Sequence, residues 1–206
     1  MDILGKIFGS PARVKIIRIF LLNPECVFDT DDVKVKSKVS RRMIARELTN
    51  LVSAGLIRRK TETRTKKLLF RGKSIEKKRK VRGWVLDERF VYLDILREFL
   101  LNTKSFEHSN ILRRLQGAGK VKLIIVSGVF LQDNDSRLDM LIVGDSLRRA
   151  SLTRTLKRIE SDIGRELRYG VLTTQDFLYR LDVYDRFVRD VLDFPHQKLL
   201  NKIGLK

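Results

Sequence analysis

The sequence is poor in the residues that build disulfides and metal centres. Among 206 residues it has one cysteine, Cys26, and two histidines, His108 and His196. A single cysteine excludes an intramolecular disulfide and a cysteine-based zinc site. The histidines lie far apart without a cysteine or acidic partner at ligand spacing, so we expect surface or capping roles for them and no bound metal. Because Val27 and Phe28 follow Cys26, we expect its side chain to be buried.

Long apolar runs and nucleotide-binding fingerprints are also missing. No run is long enough for a transmembrane helix, and the first segment, MDILGKIFGSPARVK, lacks the apolar core of a signal peptide. No Walker loop, dinucleotide fingerprint or nucleophile elbow occurs. We therefore expect a cytoplasmic protein that binds neither a membrane nor a cofactor.

Acidic residues are heavily outnumbered by basic ones. The chain has 44 Lys and Arg against 25 Asp and Glu, a formal net charge of +19. The excess is uneven, because residues 57–82 alone contain 13 basic and 2 acidic residues. Such concentration is expected of a protein that binds polyphosphate. Since no amphipathic helix with a large aromatic face accompanies it, nucleic acid is a better partner than a membrane surface.

The segment from Ser40 to Gly55 has the pattern of an amphipathic helix. Ser40 is a suitable N-cap, and Gly55 suits the left-handed residue that ends a helix. Arginine and asparagine side chains suit phosphates and base edges, so the polar side of this helix is a candidate for nucleic-acid recognition. The predicted buried side consists of Ile44, Leu48, Leu51 and Val52, and the predicted solvent side of Arg42, Arg46, Asn50 and Ser53.

Two predicted helices precede this segment and a basic hairpin follows it. Ser10-Pro11 starts the first helix, which Asn23-Pro24 ends. Thr30-Asp31-Asp32 offers caps for a short second helix that ends near Ser37. Strands are predicted at Leu56–Thr61 and Arg79–Leu86, with a further strand or a mobile loop between them. Three helices and a hairpin in this order are typical of a winged helix-turn-helix. The alternative is an ordinary solvated helix followed by a charged loop.

The candidate DNA-binding residues come from the third helix and the basic hairpin, the wing. Trp84, the one tryptophan, is expected in a core or hinge role rather than stacked on a base. The helix residues would enter the major groove, and the wing residues would hold phosphates or reach a minor groove. On the helix the candidates are Ser40, Arg41, Arg42, Arg46, Thr49 and Asn50; on the wing they are Arg58, Arg59, Lys60, Arg64, Lys66, Lys67, Arg71, Lys73, Lys77, Lys78, Arg79 and Lys80.

The second half of the sequence has an α/β pattern, which begins after an apolar helix predicted at Phe90–Leu101. The apolar surface of that helix suggests packing on both domains or on a second copy, so we expect a homodimer. The rest predicts a small mixed sheet with helices on it. The predicted strands are Val121–Val126, Leu138–Val143 and Leu167–Leu172; the predicted helices are Ser109–Gln116, Leu152–Ile163, a helix from its Thr173 cap to Leu181, Tyr184–Leu192 and Gln197–Ile203.

The order of strand, turn, short helix and SRLDMLIVGD at Ser136–Asp145 resembles the minimal nucleotidyltransferase fold of the polymerase-β superfamily. The whole chain resembles prokaryotic predicted transcriptional regulators that join a winged helix-turn-helix to such a domain. The resemblance extends to GRELRYGVLTTQDFLYRL at Gly164–Leu181. It implies an α+β chain with a winged helix-turn-helix domain at 1–88, a linker helix at 89–104, and a small mixed-sheet nucleotidyltransferase-like domain with C-terminal helices at 105–206.

The residues of the implied active site depart from the family pattern. Active members carry Gly-Ser after the first strand, Asp-x-Asp at the second, and a third carboxylate on a later strand. Ser127-Gly128 has the reverse order, Arg137 stands at the first acid, Asp139 matches the second, and Leu167–Leu172 contains no acid. Because the carboxylates must hold two Mg²⁺ ions, we expect an inactive, vestigial pocket formed by Ser127, Gly128, Arg137 and Asp139. Arg137 and Asp139 are expected to pair, or the pocket to take an anion without metal.

Together these features predict a sequence-specific regulator of transcription that binds double-stranded DNA. Its C-terminal domain would serve as a scaffold, a dimerisation module or a sensor. One alternative is an active nucleotidyltransferase that modifies a protein or RNA, which Asp139 and the sheet favour. Another is an RNA-binding protein, because a basic wing does not by itself distinguish between duplexes.

Overall fold

The chain has a mixed α+β fold with two separate sheets. The computed structural model describes residues 3–70, 73–101, 108–131, 133 and 135–205, with backbone alone at 66–70, 73–77 and 108–109. Contacts divide the chain into two compact units. The first comprises Met1–Leu100 with Ser161–Arg165, and the second comprises Leu101–Glu160 with Glu166–Lys206.

Four helices open the first unit: α1 at Ile3–Ile7, α2 at Pro11–Leu21, α3 at Thr30–Ser37 and α4 at Arg41–Ser53. The sequence did not predict α1. Helix α2 begins as predicted, because the Ser10 hydroxyl accepts a hydrogen bond from the amide of Arg13 and Pro11 takes the first helical position. Its residues Ile16, Ile19 and Phe20 are completely buried.

Helix α3 is capped one residue earlier than predicted. The Asp29 carboxylate accepts from the amides of Asp31 and Asp32, and the Asp32 carboxylate accepts from the Asp29 amide at 3.1 Å. This reciprocal capping box holds a segment whose VKVK sequence alternates like a strand. The helix ends at Lys38, which adopts a left-handed conformation with φ of 55°.

A long antiparallel hairpin follows α4. Its strands are β1 at Ile57–Phe70 and β2 at Lys73–Leu86, each of 14 residues. Each strand therefore extends well into the segment for which the sequence predicted a further strand or a mobile loop. Trp84 is half-buried and exchanges two backbone hydrogen bonds with Phe28, of 2.8 and 2.9 Å. This bridge fastens the base of the hairpin to the segment between α2 and α3.

Helix α5 spans Leu93–Leu101, three residues later than the predicted start at Phe90. Leu93 and Leu100 are buried, whereas Ile95 and Phe99 are exposed. The Phe99 ring lies 6.2 Å from the ring of Phe8, which follows α1.

Two side chains in the first unit are more exposed than the sequence predicted. Cys26 is exposed, because it lies in a turn whose inward positions are taken by buried Val27 and Phe28. Val52 is 36% exposed, since it lies at the margin of the apolar stripe of α4 rather than in its centre. The prediction of burial was wrong for both residues.

A four-stranded mixed sheet forms the centre of the second unit. Its strands are β3 at Lys120–Val126, β4 at Met140–Asp145, β5 at Tyr169–Leu172 and β6 at Gln197–Asn201, in the order β5-β4-β3-β6. Strands β4 and β5 are parallel, and the other two pairs are antiparallel. The predicted mixed sheet is confirmed, with β4 and β5 each beginning two residues later than expected.

Four helices surround this sheet: α6 at His108–Gln116, α7 at Arg149–Ile163, α8 at Thr174–Asp182 and α9 at Arg186–Leu192. One face of the sheet contributes Leu123, Ile125, Leu141 and Val143 to a core with Phe177 of α8 and Val188 and Val191 of α9. The alternate residues Ile124, Val126, Met140 and Ile142 are also completely buried. Helix α7 is the crossover between parallel β4 and β5, and its residues Leu152, Leu156 and Ile159 are buried.

The C-terminal segment is a strand where the sequence predicted a helix at Gln197–Ile203. Strand β6 pairs with β3, which would otherwise expose an unpaired edge. The short apolar pair Leu199-Leu200 is compatible with a helix or a strand, so the pairing with β3 determines that this segment is a strand. The helix predicted from Tyr184 begins instead at Arg186, because the Asp185 carboxylate caps it and Tyr184 has a φ of 54°.

The described part of the chain contains no helix both long and apolar enough to cross a membrane, and its longest helix, α7, has 15 residues.

Candidate nucleic-acid interface

The burial pattern of α4 leaves one polar stripe in solvent. Ile44, Leu48 and Leu51 are at most 5% exposed, so this side of the helix packs into the unit. The opposite side carries exposed residues at the spacing of one helical face. These are Arg42, Arg46, Thr49, Asn50 and Ser53, as the sequence predicted.

A buried ion pair fixes the orientation of α4. The carboxylate of Glu47, 5% exposed, accepts a hydrogen bond of 2.7 Å from Nε of Arg13 on α2. The Nη1 of Arg13 also donates to the Phe8 carbonyl at 3.1 Å. Since removal of one partner would leave a buried charge unpaired, this pair resists rotation of α4. Rotation would turn Arg42 and Arg46 away from solvent.

Both ends of α4 lie where the sequence predicted, but only the C-terminal end has the expected geometry. Ser40 occupies the N-cap position, but its side chain makes no capping hydrogen bond. Gly55 has a φ of 78°, as a left-handed terminating residue requires, and the Leu56 amide donates to the Leu51 carbonyl. Buried Leu56 and Ile57 then lead directly into β1.

Three predicted contact residues have internal partners. Arg41 pairs with Asp31 of α3, and the Thr49 hydroxyl donates to the Ala45 carbonyl at 2.9 Å. Arg64 donates to Asp32 at 2.8 Å, to Glu62 at 3.3 Å and to the Val27 carbonyl. The hydrogen bond to Asp32 is the main cause that raises the pKa of the Arg64 guanidinium. These contacts give Arg64 a role in holding β1 against α3.

The register of the hairpin places hydroxyls opposite basic side chains along one face. Thr61 pairs with Arg82, Thr63 with Lys80, and Thr65 with Lys78. All six side chains are exposed. Because opposite residues of an antiparallel pair point to the same side, the three pairs form a ladder of hydroxyl and cationic donors. Both kinds of donor bind phosphate oxygens.

The other face of the hairpin places two arginines opposite each other, Arg64 and Arg79. Like charges in this position repel unless another group neutralises them. Arg64 has Asp32 and Glu62 as partners, whereas Arg79 is exposed and no described residue pairs with it.

Most of the remaining candidate residues of the wing lie on the two strands of the hairpin. Arg58, Arg59 and Lys60 are exposed near the base of β1, and Lys78 and Lys80 are exposed on β2. The backbone of Lys66, Lys67, Lys73 and Lys77 lies in the paired strands, but their side chains lie outside the described structure, as does Arg71 entirely.

In the second unit, Asp139, one of the residues expected to form a vestigial pocket, is bonded by neighbouring protein groups. Asp139 lies immediately before β4 and is fully buried. Its Oδ1 accepts from the Val129 amide at 3.0 Å, and its Oδ2 accepts from the Arg168 amide at 2.8 Å. The Arg168 side chain pairs with the same carboxylate at 3.3 Å. Both carboxylate oxygens therefore have protein donors.

Gly128 is required by this arrangement. It has a φ of 54°, and a Cβ placed on it would lie 2.2 Å from Oδ1 of Asp139. The neighbouring Ser127 hydroxyl donates to the Leu138 carbonyl at 2.5 Å. Ser127 and Gly128 thus hold the Asp139 carboxylate in place rather than form an open binding site.

The expected pair between Arg137 and Asp139 does not form. Arg137 is 62% exposed and pairs instead with Asp190 of α9 at 2.7 Å. Asp139 is buried and faces Arg168, so the two residues of the motif have different environments. The Asp135 amide donates to the Asp133 carboxylate at 3.0 Å.

Several residues of these sites were not foreseen. Glu47 and Arg13 are separated by 34 positions, and Arg168 and Asp139 by 29, so no local pattern indicates either pair. Thr61, Thr63, Thr65 and Arg82 show an alternation typical of a strand exposed on one face, which could have indicated the donor ladder.

Across the described residues, no group of three or more His, Cys, Asp or Glu is arranged to hold a metal ion. His196 makes a local contact of 2.9 Å with the Phe194 carbonyl, and the side chain of His108 lies outside the described structure.

No family model matches this chain, and searches of the curated proteins and of the solved structures give no match either.

Proposed function

We propose that the protein is a transcriptional regulator that binds double-stranded DNA with sequence preference through its first unit. Helices α2 to α4 and the hairpin act as a winged helix-turn-helix, in which α4 enters the major groove and the hairpin is the wing. The observation that carries this proposal is the exposed stripe of α4. Arg42, Arg46 and Asn50 stand there without an acidic partner among the described residues, on a helix held in place by Glu47.

The chemistry of the stripe supports base recognition. Arginine can donate two hydrogen bonds to guanine, and asparagine can make two with adenine. The Thr49 hydroxyl bonds its own helix, so Arg42, Arg46 and Asn50 carry the sequence preference. The ladder of threonines and cations on the wing supplies phosphate contacts, which add affinity without sequence information.

We propose that the second unit resembles a nucleotidyltransferase without being active as one. An active site of that kind needs carboxylate oxygens free to bind Mg²⁺. Asp139 instead accepts from the Val129 and Arg168 amides and pairs with the Arg168 guanidinium. Arg168 also lies in the segment where the family places its third carboxylate, so the residues present do not suit a metal pair. The unit then acts as a scaffold, dimerisation or sensor module.

A homodimer is part of the proposal, and α5 supplies its contact. Ile95 is 68% exposed and Phe99 50% exposed, one helical turn apart. Tyr92 precedes them at the same spacing, and Ile7 of α1 is exposed beside Phe8, which contacts Phe99. An exposed apolar stripe of this kind is typical of a surface that a partner covers. Two half-sites read by two copies would follow.

Two sets of substitutions separate base recognition from phosphate contact. We expect Arg42→Ala with Arg46→Ala to reduce the ratio of cognate to unrelated affinity by tenfold or more, since a good bidentate contact discriminates by about 1–3 kcal/mol. We expect the triple change Lys78→Gln, Arg79→Gln and Lys80→Gln to keep that ratio. Its log–log salt slope should fall by about 2.7, because each lost phosphate contact removes about 0.9.

The matched control removes two charges from the second unit, Arg186→Gln and Lys202→Gln, both exposed. Footprinting and competition titrations measure the ratio and the slope for each variant. A cognate preference that survives Arg42→Ala and Arg46→Ala unchanged would remove α4 from recognition. Tighter binding to duplex RNA than to any DNA, or Mg²⁺-dependent turnover of ATP, would favour the RNA-binding or the enzymatic alternative.

A further inference from the structure

Charge is distributed unevenly among the helices of the second unit. The layer of α8 and α9 contains acidic residues that are already paired. Asp176 and Asp185 pair with Arg180, Asp190 with Arg137, and Asp193 with Arg189. Helix α7 has a different balance of charge, because it carries four basic residues and no acid before Glu160.

The basic residues of α7 form one exposed face. Arg149, Arg154, Lys157 and Arg158 are all exposed, whereas Leu152, Leu156 and Ile159 of the same helix are buried. No described residue forms an ion pair or hydrogen bond with any of the four side chains. The carboxylate of Glu160 is turned to a backbone partner, the Leu167 amide at 3.0 Å. We call these four residues the α7 basic face.

The α7 basic face continues onto α6. The Arg148 amide donates to the Ala118 carbonyl at 2.8 Å, and its guanidinium donates to the Gly117 carbonyl at 2.9 Å. These bonds hold the start of α7 beside the end of α6. Arg148 itself and Arg113 of α6 are exposed, so they extend the cationic surface beyond one helix.

This accumulation of charge destabilises the isolated chain. Arg154 and Arg158 are separated by four residues and Arg154 and Lys157 by three, so each pair lies on adjacent helical turns. Like charges at this spacing repel by a few tenths of a kcal/mol each. No described residue forms an ion pair with these four side chains, so an external anion would relieve the repulsion.

We propose that the α7 basic face is a second DNA-contacting surface, which binds the phosphate backbone of a duplex without reading its sequence. This inference rests on the proposed function, because it takes the same duplex as the ligand. From Arg149 to Arg158 the helix spans about 14 Å at 1.5 Å per residue. One strand of B-DNA presents a phosphate about every 3.4 Å along the axis, so three or four phosphates fit this span.

The composition of the face favours duplex backbone over the other polyanions. Its neighbours on the exposed side are Ala150 and Thr153, and α7 contributes no exposed large apolar side chain. An anionic membrane is bound by helices with an apolar face that inserts between lipids. Single strands are bound by aromatic side chains on which bases stack. The α7 basic face has neither feature, so it suits regular phosphates.

The test uses the full chain and the pair Arg154→Gln with Arg158→Gln, which keeps residues of good helix propensity at exposed positions. The matched control is Arg186→Gln with Lys202→Gln, which removes the same charge elsewhere in the second unit. Binding to the cognate duplex and to an unrelated duplex is titrated across salt. We expect the α7 pair to reduce the log–log slope by about 1.8 on both duplexes, from 0.9 per phosphate contact.

We expect the α7 pair to leave the footprint and the cognate preference as in the wild type. The control pair should change the log–log slope by less than half as much as the α7 pair does. The slope is also measured on the unrelated duplex, so the test of the α7 basic face does not depend on whether the protein has a sequence preference. An unchanged slope with the α7 pair overturns the proposal. So does a loss that appears only with duplex RNA or with vesicles containing an anionic phospholipid, while DNA binding remains intact.

Discussion

At the level of single residues, a buried carboxylate in each unit is paired with an arginine. Glu47 holds Arg13 at 2.7 Å, and Asp139 holds Arg168 at 3.3 Å. Both acids are almost completely buried, so loss of either arginine would leave an unpaired charge in a site of low polarity. The first pair orients the arginines of α4 toward solvent, and the second occupies the oxygens that a metal would need.

A third acid, Asp145, gives a prediction for the dependence of stability on pH. Hydrogen bonds from Lys122 and from the amide and hydroxyl of Thr174 lower the pKa of Asp145 to about 2, with the Lys122 bond the largest cause. Because the folded pKa lies below the ordinary value of 3.8, the charged carboxylate stabilises the native state above about pH 4. This stabilisation is lost as the pH falls from about 4 to 2.

We therefore expect Asp145→Asn to lower the free energy of unfolding at neutral pH, with a difference from wild type that shrinks toward zero between pH 4 and pH 2. Urea unfolding at a series of pH values measures this difference. Lys122→Met serves as the control, since it removes the main partner and should weaken the same pH dependence. A difference that is constant down to pH 2 would show that Asp145 has no lowered pKa.

At the scale of elements, the sequence predicted most helices and strands because their signals are local. The start of α2 follows from Ser10-Pro11, and the end of α4 from Gly55. Apolar spacing predicted α7 correctly, with its buried residues and Gly164 at its end. These features depend on neighbours within one or two helical turns, so one sequence contains the required information.

The errors at this scale come from contacts that are distant in sequence. Strand β6 forms because β3 offers a free edge more than 70 positions away, and its own residues have no strong preference. The partners of Arg64 come from α3 and from the segment before it, so the residue looked like one more cation of the wing. The sequence therefore predicted the exposed polar side of α4 but not the internal partners of Arg64.

Arg64 and Arg79 give a matched pair that tests these roles. They are partners in the hairpin register, but Arg64 has internal partners and Arg79 has none among the described residues. We expect Arg79→Gln to reduce the salt slope of DNA binding by about 0.9 with unchanged stability. Arg64→Gln should instead lower the free energy of unfolding by about 1 kcal/mol, since a half-exposed ion pair contributes little more.

Denaturant unfolding and salt-titrated binding are measured on both variants. Each arginine is the control for the other, because both substitutions remove one positive charge from the same pair of opposite positions in the hairpin. Equal effects of the two substitutions on both readouts would refute the division of roles.

At the scale of the whole molecule, the excess of 19 positive charges makes self-association unfavourable unless an apolar surface drives it. The stripe of α5 is such a surface, and Asp94, Arg97 and Glu98 beside it balance charge locally. We expect Ile95→Glu to weaken the homodimer roughly thirtyfold, the effect of losing a central apolar anchor of about 2 kcal/mol. Sedimentation equilibrium measures the change.

Val35→Glu is the control for this substitution, because Val35 of α3 is 75% exposed and lies outside the α5 stripe. It should leave the dimer unchanged. A wild-type protein that stays monomeric at tens of micromolar would contradict the role of α5, as would a dimer that Ile95→Glu does not affect.

We propose above all that this basic chain recognises particular DNA sequences rather than polyanions in general. The most direct measurement is binding of the wild-type protein to a labelled fragment from the upstream region of its own gene. The binding is titrated across salt with an unrelated duplex and a structured RNA as competitors. We predict a footprint that survives excess unrelated duplex and RNA, with an affinity that falls steeply with salt. Equal displacement by every polyanion would contradict the account.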